Sequence, residues 1–443
     1  MSAAKRTLLE KRLRGRVNPA AAGRSIPRRG NVAAAPLSYA QKRVWFFQQL
    51  DPESPLYNIP AAFHLQGRLN QDALQKALET IVRRHEVLRT RFTSEAGSPH
   101  QIVTAPPADF PLSIVDLRHC PPARREAETD RLLQAGAVQP FDLARDLMLR
   151  ATLIELGPMD HLLAINTHHI ASDGWSMGVF SRELAELYQA FDTGHAPSLP
   201  DLPVQYADYA LWQHGSLCDD ALDGMLTYWR RQLADAPALL ELPIDRPRNP
   251  TQTFQGRWQW QALPQSLADA LKELSQHQGV TLFMTLLAAF KTLLHRYTQV
   301  EDILVGAPVA GRNQIEIENL IGFFVNALVL RTDLSGDPSF CELLHRVRDV
   351  TLGALAHQSL PFDRLVQELR PERTTSHAPL VQVLFVFQND PLRGFKLPGL
   401  KLTPLPVDKV DTGTAKFDLT FQVGENGQGL VVAAEYNTDL FEH

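Results

Sequence analysis

Apolar positions recur along this chain with two periods, and the two periods mark out helices and strands. Leu74, Ala77, Leu78, Ile81 and Val82 stand at i, i+3, i+4, i+7 and i+8, the spacing of one helical face, and Asn70 ahead of them suits an N-cap. Residues 61–65 read as a strand just before that helix. Residues 149–156 and 162–168 are strand-like runs separated by the turn Gly157-Pro158-Met159-Asp160. A helix is predicted to start after Asp173, with Phe180, Leu184, Leu187 and Phe191 facing inward. The second half repeats the plan weakly. A strand at 258–262 leads into a helix opened by Leu263-Pro264, with Leu267, Ala270, Leu271 and Leu274 at helical spacing. Thr281 caps a second, heavily apolar helix through Tyr297, and strands are predicted at 303–305, 327–331, 381–387 and 429–436.

Strands and helices occur in both halves without strict βαβ alternation, which predicts a mixed α/β (α+β) protein of two lobes built on related sheets. The length, 443 residues, sets a loose prior of about three domains or subdomains. Residues 192–203, which include Gly194, Pro197, Pro200 and Pro203, are the best boundary. The predicted division is a segment 1–35, a first lobe 36–192 and a second lobe 193–443.

Composition narrows the classes. Hydrophobic residues at 44% and charged residues at 21% fit a folded globular chain and exclude disorder as its main state. The formal charge of -5 argues against a dedicated nucleic-acid binder. It conceals an asymmetry: residues 1–35 hold nine cations and only Glu10 as an anion, so a basic segment of +8 precedes a body of -13. Within it, residues 3–16 could form a short basic helix, and 17–36 reads as a flexible linker, with folded sequence starting near Leu37. Cys120, Cys218 and Cys341 lie far apart with no CxxC pair, which fits a reducing compartment and neither a disulfide framework nor a zinc site. The most apolar stretch, 280–294, is too short to span a bilayer and contains Lys291, and no signal-peptide core opens the chain. A soluble cytoplasmic protein without a membrane partner is the expectation.

The candidate chemistry sits where an apolar strand meets an amphipathic helix, at residues 168–174. His168 and His169 are adjacent on an extended strand and point to opposite faces, so they do not easily share a metal ion. Two other readings stay open on spacing alone. In one, a histidine is a satisfied core residue and Asp173 a helix N-cap. In the other, one histidine is aimed into a cleft while its neighbour packs beneath, Asp173 fixes the loop through an ion pair, and Gly174 lets a substrate approach the backbone.

The run HHxxxDG at 168–174 resembles the core motif of nonribosomal peptide synthetase condensation domains, members of the HxxxD acyltransferase superfamily with chloramphenicol-acetyltransferase-like lobes. Six further stretches resemble that family's motifs in order. Leu37-Ser38-Tyr39-Ala40-Gln41-Lys42-Arg43-Val44-Trp45 is similar to S-x-A-Q-x-R-x-W, and Arg84-His85-Glu86-Val87-Leu88-Arg89-Thr90-Arg91-Phe92 to R-H-E-x-L-R-T-x-F. Tyr206-Ala207-Asp208-Tyr209-Ala210-Leu211-Trp212-Gln213 is similar to Y-x-D-Y-A-x-W-Q, and Ile321-Gly322-Phe323-Phe324-Val325-Asn326 to I-G-x-F-V-N. His357-Gln358-Ser359-Leu360-Pro361-Phe362-Asp363 resembles H-Q-x-x-P-F-E, and Arg373-Thr374-Thr375-Ser376-His377-Ala378-Pro379-Leu380 resembles R-D-x-S-x-x-P-L. The resemblance covers residues 36–443. Ala327, Ser359 and Asp363 depart from the usual Thr, Asp and Glu, outside the HHxxxDG core.

The resemblance implies a V-shaped pseudo-dimer of two lobes with the active site in a tunnel between them. It implies amide formation between an acyl or aminoacyl thioester and the amine of a carrier-bound aminoacyl thioester. His169 would point into the tunnel, either accepting the amine's proton or orienting the amine, while His168 supports the loop. Asp173 would be structural, paired with an arginine, for which Arg43 and Arg89 are the candidates. Gly174 and the amides of its helix would lie beside the thioester. Trp175, Ser176 and Asn326 are candidates for the substrate channel. Trp45, Tyr206, Trp212, Phe323 and His357 read as packing residues, and the charged group Asp142, Arg145, Asp146 and Arg150 as a solvated face or a tunnel wall.

No metal or nucleotide is implied. The only cofactors are the phosphopantetheine arms of donor and acceptor carrier proteins, or an acyl-CoA donor, with an adjoining adenylation domain as a further partner. The motif wording favours an L-aminoacyl donor, or a starter domain that takes a fatty or short acyl group. A chain that opens at Met1 with no carrier ahead leads to the expectation of a donor delivered in trans, with the basic segment as linker or docking element. Its end at residue 443, ahead of the family's last helix, leads to the expectation of a piece cut from a larger synthetase. The alternatives are a freestanding CoA-dependent acyltransferase of the same superfamily and a non-catalytic docking module.

Overall fold

The computed structural model describes residues 25–30, 34–216, 219–371, 374–388, 395–425 and 429–442. The predicted basic helix at 3–16, most of the basic segment, Cys218 and the motif residue Arg373 lie outside the described residues. The architecture is mixed α/β, as the apolar pattern predicts, with two large sheets and one small one.

The first sheet grows from the predicted hairpin. Leu149–Gly157 and Asp160–His168 pair antiparallel around the turn at Pro158-Met159. Asn58–Gln66 pairs with the other edge of Asp160–His168, so that strand is central, and its nearly continuous apolar run follows from burial on both faces. Ser113–Asp116 and Lys401–Pro404 form the two edges. The second sheet has six strands in the order Asn326–Asp333, Asp302–Val309, Val383–Gln388, Leu419–Glu425, Gly429–Asn437 and Gly256–Pro264. Each predicted strand of the second half lies in it.

The helices follow their patterns closely. Asn70 caps Gln71–Arg84 by accepting from the amide of Ala73, and its five periodic apolar residues are fully buried. Thr281 caps Leu282–Thr298 in the same way. Gln265–His277 departs from expectation. Leu267 is exposed, and the helix instead presses the small Ala268 and Ser275 inward, where Ser275 Oγ meets Thr285 Oγ1 at 2.7 Å. Small residues let two helices approach closely, which an apolar count alone does not reveal.

Two predicted boundaries are corrected. Folded structure begins before Leu37: Ile26 is buried, and Arg28 donates to the carbonyls of Leu202 and Pro203. Arg29 pairs with both Glu86 and Asp208, and Ala34–Pro36 joins Ser98–Val103 in the small sheet. Partner carboxylates far along the chain hold this stretch, and its local composition cannot show them. Nor does the second lobe begin cleanly at 193. Leu202, Val204, Tyr206 and Tyr209 belong to the core of the first sheet, as do Ile321, Phe323 and Phe324. Phe395 packs edge-on against Phe63 at 5.1 Å, just ahead of the strand that the second half lends to the first sheet. The second half is therefore stitched into the first by short apolar clusters that carry no periodic signal.

Candidate functional site

The central strand delivers the paired histidines. His168 is the last residue of Asp160–His168, and the amide of Ala171 turns back to its carbonyl at 2.9 Å. The amide of His169 donates to the carbonyl of Tyr57 at 2.8 Å, so the two rings leave the backbone on opposite sides. His168 faces down and is fully buried, its ring 5.6 Å from that of Phe141. Its Nδ1 accepts from the amide of Ile170. His169 faces up and is half-buried, 4.7 Å from the ring of Phe323.

The hydrogen bonds fix the state of His169. Its Nδ1 lies 2.9 Å from the carbonyl oxygen of Ser172, which can only accept. Nδ1 therefore carries the proton and Nε2 presents a lone pair. Burial, followed by the positive charge of Lys416, pulls the pKa of His169 down to about 3. Burial and then the neighbouring His169 do the same to His168, also to about 3. Both rings are neutral across the physiological range.

Asp173 anchors the turn. It is the N-cap of Gly174–Asp192, and its Oδ1 accepts from the amide of Ser176 at 2.8 Å. Its Oδ2 accepts from the amide of Phe324 at 3.0 Å, so one carboxylate ties the motif to the I-G-x-F-V-N stretch. The ion-pair partner is Arg312, at 3.2 Å, with side chains 2% and 0% exposed. Arg43 and Arg89, the sequence candidates, do not serve Asp173. Arg43 lies 3.8 Å from Asp363, while Arg89 pairs with Glu86 and donates to the carbonyl of Thr104. The other arm of Arg312 donates to the carbonyls of Ile317 and Leu320. Arg312 follows Gly311, whose φ of +65° and close approach to the carbonyl of Phe324 leave no room for a Cβ.

The channel candidates divide. Ser176 is fully buried inside the Asp173 cluster, its hydroxyl also bonding the amide and carbonyl of Gly322 and the guanidinium of Arg312, so it lines no open space. Asn326 ties a loop, donating to the carbonyls of Gln358 and Leu360 and accepting from the amide of Phe362. Trp175 is exposed, with its indole N–H donating to the carbonyl of Glu318. Tyr206 is buried and donates to the carbonyl of Phe323, a packing role as expected from its motif. Asp142 and Arg145 are exposed, whereas Arg150 lies over Phe141 at 3.9 Å and so sits one ring away from His168.

The second half supplies residues that no motif pointed to. Lys416 places its ammonium 5.5 Å from the centre of the Tyr57 ring, and that ring lies 6.3 Å from the ring of His168 and 6.4 Å from that of His169. Burial pushes Lys416 down and its neighbour Glu435 up. Gln388 reaches Gly174: a Cβ on that glycine would stand 3.3 Å from Gln388 Nε2. The only sequence signal for Gln388 is a polar residue ending an otherwise apolar strand.

Comparison with known proteins bears on this geometry. A family model described as Condensation domain matches residues 32–443. The chain is 50% identical over 407 residues to one of the linear gramicidin synthase polypeptides of Brevibacillus parabrevis, covering 92% of this chain and 8% of that polypeptide. It thus spans a small fraction of that relative's length. Among solved structures, the X-domain from teicoplanin biosynthesis superposes with a TM-score of 0.83 at 30% identity, over 95% of this chain and 93% of that one. A four-domain nonribosomal peptide synthetase bound to AMP and glycine gives a TM-score of 0.81 at 25% identity, over 93% of this chain and 32% of that one.

Proposed function

The chain belongs to the condensation-domain family, and from that premise we propose that it joins a thioester-bound acyl or aminoacyl donor to the amine of a carrier-bound aminoacyl thioester. The amine nitrogen bonds to the thioester carbonyl carbon, the carbon–sulfur bond breaks, and the amine's surplus proton ends on the departing thiolate. A thioester is already activated and a neutral amine is a strong nucleophile. Alignment of two tethered substrates therefore carries most of the acceleration, and effective molarities of well-oriented pairs are worth roughly 7–11 kcal/mol.

The observation that carries the reading is the state of His169. Its Nδ1 is held by Ser172 and its Nε2 lone pair is unprotonated. A base with a pKa of about 3 is too weak to strip an ammonium, but its lone pair accepts an N–H from the neutral amine and turns the nitrogen's own lone pair toward the carbonyl. Positioning is thus its main role. Asp173, locked by Arg312, keeps the turn in register and does not meet the reacting atoms.

The partners in this reading are donor and acceptor carrier domains with their phosphopantetheine arms, beside an adenylation domain in a longer synthetase. Similarity to a much longer gramicidin synthase polypeptide and to a four-domain synthetase supports that setting. Donor profiling tests the reading. Octanoyl-CoA, acetyl-CoA and an L-aminoacyl carrier are each offered to one loaded acceptor carrier, and products are read by mass. Amide from the aminoacyl carrier alone identifies an internal L-donor domain, and amide from an acyl-CoA a starter domain. No amide from any donor contradicts the reading.

A further inference from the structure

Gly174 and Gln388 come from opposite halves of the chain and face each other. Gly174 opens its helix on the turn that begins at His169. Gln388 closes Val383–Gln388, a central strand of the second sheet, level with Gly424 of its parallel neighbour. The Gln388 amide is oriented: its Oε1 accepts from Gln422 Nε2 at 2.6 Å. With the oxygen engaged there, the NH2 group is turned toward Gly174, 3.3 Å from the point where any other residue would carry its Cβ. A primary amide has two N–H donors, and among the described residues neither finds an acceptor. An oriented donor with no acceptor among the described residues thus lies against Gly174, in the same turn that carries His169.

We propose that Gln388 donates a hydrogen bond to the thioester carbonyl oxygen as the amine adds to its carbon. The proposal rests on the condensation reading above. The oxygen bears negative charge only between formation of the carbon–nitrogen bond and cleavage of the carbon–sulfur bond, and Gln388 keeps its proton throughout. A donor already oriented by Gln422 needs no reorganisation when that charge appears, which is how a neutral hydrogen bond favours the transition state over the bound substrate. A side chain at residue 174 would press on the Gln388 amide, and glycine there leaves that amide in its orientation. Gln388 is then a catalytic residue and Gln422 a positioning residue.

The test uses the whole chain with octanoyl pantetheine and N-acetyl-L-leucyl pantetheine as donors and L-leucyl pantetheine as acceptor. Gln388→Leu should lower kcat by about 100-fold or more, as loss of one such donor does, with the donor KM changed less than threefold. Gln388→Glu, which keeps the shape but presents a negative acceptor, should lose at least as much. Gln422→Leu, which only frees the amide to rotate, should lose less than Gln388→Leu but measurably. Thermal melting checks folding, and should Gln388→Leu fail to fold, the isosteric Gln388→Glu and the Gln422→Leu variant carry the test. Rates within threefold of wild type for the folded Gln388 variants, or a loss confined to KM, overturn the assignment. If His169→Ala still loses product in that case, the condensation reading survives. Absence of amide from the wild type with both donors overturns that reading and this assignment together.

Discussion

The guanidinium of Arg312 reaches the carboxylate of Asp173 across 139 residues of sequence, and both side chains are sealed from solvent. The pair joins the histidine turn to the second half of the chain, and the same carboxylate holds the amide of Phe324. Breaking a buried pair from one side leaves the other charge unpaired, which typically costs about 3–5 kcal/mol. Arg312→Met and Asp173→Leu should each destabilise the protein by that order. The double variant should lose less than the sum of the two, since neither charge is then stranded. Urea unfolding of the four proteins measures this, and strict additivity would contradict the coupling.

His169 should titrate far below an ordinary histidine. Its pKa of about 3 comes first from burial and then from the charge of Lys416. Lys416→Met removes that charge and should move the His169 pKa upward, read from the imidazole resonances in a pH series. The sign for stability follows from linkage. Between about 3 and the ordinary histidine value of 6.5 the unfolded chain binds a proton that the folded His169 and His168 do not, so stability rises with pH through that window. Below it the effect is complete.

Lys291 gives a second, separate pH dependence. Its fully buried ammonium donates to the carbonyls of Ile303 and Leu330 and to Thr332 Oγ1, all neutral oxygens. Burial lowers its pKa to about 7. Between about 7 and the ordinary lysine value of 10.5 the unfolded lysine holds a proton that the folded one gives up, so stability should rise with pH across that range. In Lys291→Met the rise should be absent. Thermal melts at a series of pH values compare the two proteins, and parallel curves would refute this role for Lys291.

The stretch 25–30 should matter for stability although it sits in the basic segment. Removal of residues 1–24 keeps the contacts of 25–30 and sets the reference. Removal of 1–30 takes away the buried Ile26 and the Arg29 bridge to Glu86 and Asp208. Burial of one such aliphatic side chain alone is worth about 1.5–3 kcal/mol, and the longer truncation should melt several degrees lower. Equal melting of the two truncations would show that the contacts carry no stability.

What could be read from the sequence depended on range. The hairpin ending at His168, the helix capped by Asn70 and the N-cap role of Asp173 are local, and periodicity with capping chemistry announces them. The placement of His169 and His168 on opposite sides also follows from the strand period. Arg312, Gln388 and Lys416 escaped, because each reaches the histidine turn through a fold contact between distant segments. Arg43 and Arg89 stood in motifs, yet Asp363 and Glu86 lay nearer to them. The strand Lys401–Pro404 pairs with Asn58–Gln66 of the first sheet, a contact that four residues with no apolar alternation cannot advertise.

The central claim is that a neutral His169 aligns the amine through its Nε2 lone pair. Single-turnover amide formation by wild type and His169→Ala, followed over about pH 5 to 9, tests it most directly. A neutral positioning histidine predicts a wild-type rate that rises with pH as the acceptor's own ammonium deprotonates, with no inflection from His169, and a loss of about 100-fold in His169→Ala. Equal rates in the two proteins would contradict it.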